Sequence, residues 1–276
     1  MTTIADTLKQ AIASLMGVSG SPRLDAEMIL AHVIEKPREY LIAHGEVTLD
    51  TPSASTYAKL LTLRRKGMPV AYILGKRGFF DRDFRVNSHV LIPRPETEHV
   101  VESALSWAQG RGKLHIIDIG TGSGVIALSI AAKLSESSVI ASDVSAAALL
   151  VARENGLGLN NVTYLQSDLL AGIVGTFDII CANLPYIATG ELNLLEVAKF
   201  EPHVALDGGS DGLLLIRRLL DQAPTRLRRP GLMLLEMGAD QGEAVAGLAR
   251  SAFPQAQVSI IKDYAKLDRV VRIEIV

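Results

Sequence analysis

His115-Ile116-Ile117-Asp118-Ile119-Gly120-Thr121-Gly122-Ser123-Gly124 is an apolar run that breaks into a glycine loop, and the helix-forming Val125-Ile126-Ala127-Leu128-Ser129-Ile130-Ala131-Ala132 follows directly. A buried strand, a tight loop and an apolar helix make the first βα unit of an α/β fold. Glycines at such a turn let a ligand approach the backbone beside a helix N-terminus, where unpaired N–H groups point outward. The spacing separates cofactor classes. A dinucleotide fingerprint is G-x-G-x-x-G, but here the third glycine comes one residue early. No Gly-Lys-Ser/Thr follows, so the loop is not a P-loop. It suits the methionine end of S-adenosylmethionine better than a pyrophosphate, and Asp118 before it is a candidate partner for that cofactor's amino group.

The strands that follow carry acids at their ends. Val139-Ile140-Ala141 runs out near Asp143, 19 residues beyond Gly124, where a carboxylate accepts hydrogen bonds from both hydroxyls of a ribose. Val162-Thr163-Tyr164-Leu165 is followed by Asp168, placed for an adenine amino group. The fourth strand, Phe177-Asp178-Ile179-Ile180-Cys181-Ala182, stops at Asn183 and continues into Leu184-Pro185-Tyr186. Open α/β sheets keep their chemistry at such strand ends. The Asn183 side-chain carbonyl and the Leu184 backbone carbonyl both accept hydrogen bonds. Pro185 lacks an N–H and fixes its own φ, and Tyr186 offers a flat apolar face. Together they suit a planar –NH2 group, whose two hydrogens need two acceptors. Asn-X-Pro is also an ordinary turn, and the cofactor signals nearby are what set this one apart.

Beyond it, residues 191–199 read as a loop or short helix, 212–222 as a helix, 231–237 as a strand and 241–251 as a helix. Residues 258–262 and 269–276 look like a closing pair of strands. Alternating β and α elements imply a mostly parallel sheet covered on both faces. Arg217-Arg218 and Arg226, Arg228 and Arg229 read as solvated helix-end charge or, alternatively, as a docking patch.

Residues 1–70 have a different character. Ile4, Leu8, Ile12 and Leu15 recur at helical spacing. Ser21-Pro22 gives an N-cap and first-turn proline for a helix to about residue 35. A short helix over 38–44 ends at Gly45, and Thr51-Pro52 opens another that stops at Gly67. Residues 71–92 read as a β-hairpin linker. Val90-Leu91-Ile92-Pro93-Arg94-Pro95-Glu96-Thr97-Glu98 then leads, through Pro95 and the acids behind it, into a helix reaching about residue 107. Its two prolines give linker rigidity, or hold Arg94 and Glu96 at a pocket rim.

The totals bound the function. The chain has 276 residues, 48% of them hydrophobic and 21% charged, which fits globular structure with a sizeable core. A net charge of −2 argues against stable, indiscriminate nucleic-acid binding. The single cysteine, Cys181, suits a reducing compartment and reads as a small core residue. No signal peptide or membrane-spanning run is legible, so the expected location is the cytoplasm. The six histidines show no metal-ligand spacing, and no metal is expected.

With these residues assembled, the sequence resembles the HemK/PrmC family, the glutamine methyltransferases of peptide-chain release factors. The markers are Tyr72-Ile73-Leu74-Gly75, Ile92-Pro93-Arg94-Pro95-Glu96-Thr97-Glu98, the Asp118 glycine loop, the Asn183 tetrapeptide and Phe200-Glu201-Pro202. The resemblance implies a helical substrate-recognition domain, a hairpin linker, and a seven-stranded Rossmann-like domain over 93–276 using S-adenosylmethionine. It implies cofactor contacts from Asp118, Gly120, Thr121, Gly122, Ser123, Gly124, Asp143, Asp168, Leu169 and Asn183. Asn183, Leu184, Pro185 and Tyr186 would then bind the glutamine of the Gly-Gly-Gln loop in class 1 release factors. One position departs: the family has Asn-Pro-Pro-Tyr where this chain has Leu184. Asn-Leu-Pro-Tyr is similar instead to ribosomal-RNA adenine dimethyltransferases. That keeps two other readings in view, methylation of an adenine amine in RNA or DNA and a non-catalytic S-adenosylmethionine-binding regulator.

Overall fold

The computed structural model describes residues 2–276. The chain divides into two compact units, the first ending at Lys76 and the second beginning at Arg77. Among the described residues, the first unit is built from helices α1 (Ile4–Leu15), α2 (Pro22–Val33), α3 (Arg38–Ala43), α4 (Thr51–Arg65) and α5 (Val70–Leu74). The periodic residues Ile4 and Leu15 are buried with Ile29, Leu30 and Tyr57 in one apolar cluster. Two buried acids on α2 tie its neighbours down: Asp25 to Arg64 at 2.6 Å, and Glu27 to Arg38 at 2.5 Å. The Ser21 hydroxyl does not cap the α2 backbone as the sequence suggests; it faces the Asp25 carboxylate instead. Asp50, accepting from Ser53 N–H at 2.7 Å, caps α4.

The expected hairpin is narrower than its sequence signal. Tyr72, Ile73 and Leu74 belong to α5, which Gly75 ends at φ 68°. The short apolar run was ambiguous between helix and strand, and the left-handed glycine decides it. The hairpin is β1 (Lys76–Phe79) and β2 (Arg82–Arg85). Its Phe79 and Phe84 meet edge to face at 6.0 Å in the second unit's core.

A 3-10 turn, Pro95–Thr97, opens α6 (Glu98–Ala108). The sheet elements follow in order: β3 (His115–Ile119), α7 (Val125–Lys133), β4 (Ser138–Asp143), α8 (Ala146–Asn155), β5 (Val162–Gln166) and β6 (Phe177–Asn183). After two 3-10 turns within 192–199 come α9 (Leu214–Gln222), β7 (Leu227–Glu236), α10 (Gly242–Ala252), β8 (Gln257–Lys262) and β9 (Asp268–Ile275). Seven strands form one sheet in the order β5-β4-β3-β6-β7-β9-β8. Only β9 runs against the direction of the other six, so its pairings with β7 and β8 are antiparallel. Alternate residues feed opposite faces: Ile117 and Ile180 enter one core cluster, Ile116 and Cys181 the other.

Helix α8 was not singled out by the sequence reading; Ser145 caps it, its hydroxyl accepting from Ala148 N–H at 3.2 Å. Arg228 and Arg229 lie in β7 rather than at a helix end, and Arg228 pairs with Asp178 at 2.8 Å.

Chain order and spatial order part company at β3. The chain moves outward through β4 and β5, then returns to place β6 on the other side of β3. Loops leaving β3 and β6 therefore diverge and leave a crevice at their carboxyl ends. Asn155, at the end of α8, fixes the hairpin beside it. Its Nδ2 donates to Arg85 O at 3.0 Å and Ser123 O at 2.9 Å, while Oδ1 accepts from Arg85 N–H at 2.7 Å. Asn155→Ala leaves these backbone groups unpaired, and we expect urea denaturation to show a loss of about 2 kcal/mol. A loss below about 0.5 kcal/mol would mean that the three bonds carry no such weight.

Candidate active site

The loop after β3 is built for close approach. Gly120, Gly122 and Gly124 have φ of 72°, 56° and 88°, all in the left-handed region. At Gly120 the left-handed φ favours glycine, and an added Cβ would also lie a tight 3.2 Å from Leu184 Cδ2. Asp118 holds the loop from beneath: Oδ2 accepts from the Thr121 hydroxyl at 2.6 Å and from Ala127 N–H at 3.2 Å. Asp143 holds it from the side, its two oxygens accepting from Gly122 N–H at 2.9 Å and Ser145 N–H at 2.8 Å.

A cavity of about 340 Å³ opens above this loop. Gly120, Thr121, Gly122, Ser123, Asp143, Asp168, Leu169, Asn183, Leu184, Pro185 and Arg94 line it, as do His89, Thr97 and Arg218. The structure thus brings most of the sequence candidates together. Four stand apart. Asp118 is 1% exposed and sealed under the loop, so it supports the cofactor loop rather than facing a bound amino group. Gly124 caps α7 against Leu128. Glu96 and Tyr186 lie outside the cavity wall.

Leu169 holds φ of 53°, a conformation that costs a residue with a Cβ about 1–3 kcal/mol. The following amide is fixed to Gln222 Oε1 at 3.0 Å, which keeps the Leu169 side chain at the cavity wall. Asp168 is engaged by Arg218 from α9 at 2.7 Å, with both side chains about half exposed.

At the other end of the cavity is the turn after β6. Asn183 Nδ2 donates to the Thr97 hydroxyl at 3.1 Å. Leu184 is 4% exposed and its side chain belongs to the apolar core. The turn is held from behind, where Gln241 Nε2 donates to Tyr186 O at 2.9 Å. Gly208 and Gly212 press against it so closely that a Cβ on either would strike the backbone of Pro185 or Tyr186. Arg94 is anchored by buried Glu201 at 2.6 Å, and Glu201 also accepts from Ile92 N–H at 3.0 Å. The proline segment is therefore a fixed rim rather than a loose connection. Sequence reading assigned no role to Thr97, Glu201, Gln241 or Glu236. The signal for Glu236 was present: one acid ends the apolar run Leu232-Met233-Leu234-Leu235.

Several groups are moved from their ordinary ionisation. Burial raises Asp118 to about 7, and the charge of Asp143 adds to this against the Thr121 and Ala127 hydrogen bonds. Burial raises Glu236 to about 7 and Tyr186 to about 12. The Cys181 thiol is fully buried and pushed well up, the state of an inert core residue.

Two family descriptions match the chain: PrmC N-terminal domain over residues 6–75, and Methyltransferase small domain over residues 103–200. A release factor glutamine methyltransferase of Moorella thermoacetica is 42% identical over 273 residues, spanning 97% of this chain and 96% of its own. One from Xylella fastidiosa strain 9a5c is 40% identical over 252 residues, spanning 90% and 91%. The chain belongs to the release factor glutamine methyltransferase family. Solved structures agree on the fold. The catalytic domain of hMettl16 has a TM-score of 0.58 at 14% identity, covering 90% of this chain and 92% of its own. The ribosomal protein L11 methylase of Lactobacillus delbrueckii subsp. bulgaricus has a TM-score of 0.50 at 20% identity, covering 66% and 81%. As in this family, the cofactor is S-adenosylmethionine. The cavity fits it, with a glycine loop at one side, Asp143 and Asp168 at successive strand ends, and Asn183 at the far wall. Among the described residues no helix is long and apolar enough to cross a membrane, and no cluster of three or more His, Cys, Asp or Glu could hold a metal.

Asp118 gives this site a pH signature. Its carboxyl ionises near 3.8 when unfolded and near 7 when folded. Between those values the folded chain keeps a proton that the unfolded chain has lost, so this group's contribution to stability falls as pH rises, then levels above about 7. Asp118→Asn keeps an acceptor for Thr121 and Ala127 while removing the titration. We expect urea titrations between pH 4 and 7 to show a shallower decline for the variant; an identical slope would refute this.

Proposed function

We propose that this chain transfers a methyl group from S-adenosylmethionine to the side-chain amide nitrogen of the glutamine in the Gly-Gly-Gln loop of class 1 release factors. The observation that carries the reading is the shared cavity wall: Asn183 and Leu184 line the same space as Gly120, Thr121 and Gly122. An acceptor nitrogen held by the β6 turn therefore faces whatever the glycine loop holds.

When bound, the cofactor supplies a methyl group on a positively charged sulfur. The amide nitrogen is a poor nucleophile, because its lone pair is delocalised into the carbonyl, and the chain's task is to aim it. Asn183 Oδ1 and the Leu184 carbonyl would accept the two amide hydrogens, while Pro185 stiffens the corner and Tyr186 backs the turn from outside the cavity wall. Of the cavity residues, Asp143 would hold the ribose hydroxyls, and Asp168 and Leu169 would bound the adenine end. The transfer would be an in-line displacement at the methyl carbon, with the sulfur leaving as a neutral thioether. Positioning of this kind contributes up to about 7–11 kcal/mol. Glu236 does not line the cavity, so the surplus proton leaves to water rather than to that carboxylate.

Leu184 is compatible with this role. The side chain is turned into the core against Gly120, and the acceptor group at this position is the backbone carbonyl. The site requires no stable nucleic-acid contact, and the partner is a protein of the translation machinery in the cytoplasm.

The test is labelled S-adenosylmethionine with release factor, total RNA and DNA in separate reactions, the label being located by peptide mass spectrometry. We expect it on the Gly-Gly-Gln glutamine, with Asn183→Ala reducing the rate by about 100-fold or more. Label in RNA or DNA alone would overturn the reading. Leu184→Pro, which installs the family residue, should stay within about 10-fold of the parent rate. It should also lose about 2 kcal/mol of stability, because its smaller ring leaves the space against Gly120 underfilled.

A further inference from the structure

Glu236 ends β7 at a position 1% exposed, and in the sheet register it lies directly beside Asn183. The Thr97 hydroxyl and the Asn183 side-chain amide are the polar groups beside it, and both favour its ionised form. Its Oε2 is buried without a partner. A carboxylate in such surroundings is costly, and apolar residues of similar size would fill the strand end with less penalty.

What this carboxylate does follows from donor and acceptor counting. An ionised carboxylate only accepts, while an Asn amide has an accepting edge and a donating edge. Asn183 Nδ2 already donates to Thr97 Oγ1, which leaves the Thr97 proton for the carboxylate. A reversed amide would set its carbonyl against the carboxylate and strand its N–H groups in the cavity. We propose that Glu236 is a positioning residue which, together with Thr97, locks the Asn183 amide with its carbonyl toward the acceptor nitrogen. The nature of that acceptor rests on the methyl-transfer reading above; the locking does not.

Protonation undoes the lock. A neutral Glu236 gains a donor of its own and accommodates the reversed amide. Burial is the main cause that raises its ionisation to about 7, Glu96 on the 3-10 turn adds to the rise, and Arg269 on β9 opposes it. Arg269 is itself tied to Asp263 at 2.9 Å, and the Tyr186 phenol facing the same space stays neutral, with burial and then Glu236 pushing it to about 12. Turnover should therefore fall as pH drops through about 7. Asp118 titrates in the same range but acts on the glycine loop, so its effect belongs to the cofactor's KM rather than to kcat.

The experiment uses the full chain and two readouts. In the first, Glu236→Gln should lower kcat about 10- to 100-fold at unchanged cofactor KM and flatten the acid limb of the kcat profile. Thr97→Val should lose a similar factor, and Thr97→Ser should recover most of it. In the second, the Asn183 side-chain NH2 resonances, identified by their loss in Asn183→Asp, are followed by 15N NMR without any acceptor. They should shift with a midpoint near pH 7 in the parent chain and stay flat in Glu236→Gln. A parent-like kcat profile in Glu236→Gln, or an Asn183 amide indifferent to pH in the parent chain, would overturn the proposal. If the release-factor glutamine takes no label while the amide titrates as stated, the transfer reading fails and the lock stands. Should Glu236→Gln not fold, the parent's NMR titration and the Thr97 pair still decide.

Discussion

The site depends on one contact between two strands that are neighbours in space and distant in sequence. β3 and β6 run parallel with Ile119 opposite Ala182, so the next residues of each, Gly120 and Asn183, emerge side by side. Glycine suits that point, because its φ of 72° strains any residue with a Cβ and Leu184 Cδ2 would stand only 3.2 Å from that atom. Moving either strand by one residue would exchange the faces of every side chain on it. The isoleucines are buried on both faces and do not oppose such a slip, but in β3 it would tear Asp118 from its bonds to Thr121 and Ala127. The register of the sheet thereby sets the distance between the glycine loop and the proposed acceptor clamp.

Around that contact the chain spends buried polar groups to stiffen loops. Asp118 and Asp143 fix the glycine loop, Glu201 fixes the Pro93–Arg94 segment, and Gln241 fixes the Tyr186 carbonyl. Each is an acceptor or donor contributed by one element to the backbone of another. A loop left to itself would populate many conformers, and the entropy of ordering it would be charged to ligand binding. Ordering it in advance moves that cost into folding. Leu169 carries the same logic to the backbone, since its left-handed conformation persists only because its surroundings over-determine it.

The course of the main chain through the second unit was legible because its strands are apolar runs ended by glycine, acid or amide residues. The glycine loop, Asp143 and Asn183 could be read for the same reason: they interrupt a strong pattern. For Asp118, sequence shows that an acid precedes the loop, but not that register turns it under the loop. Tyr72–Leu74 was misassigned since a short apolar run fits helix or strand equally, and only Gly75 at φ 68° separates them. Thr97, Gln241 and Glu236 act through pairings across 55 to 86 residues of sequence or across adjacent strands, and no local pattern announces those.

Two buried carboxylates, Asp118 and Glu236, are both raised to about 7 and each keeps one unpartnered oxygen. Their surroundings differ in a way that assigns them different work. Asp118 faces a hydroxyl and a backbone N–H, groups whose geometry is set by the loop and does not change sense when the acid gains a proton. Glu236 faces a side-chain amide, which has two opposite edges and can present either one to the cavity. The same loss of charge therefore loosens a support in one case and permits a reversal in the other. A clamp made from an amide needs such a partner, because its nitrogen and oxygen edges are nearly equal in shape and only hydrogen bonding distinguishes them. Steric packing alone would leave Asn183 free to face either way, and the buried acid is what gives the clamp a direction.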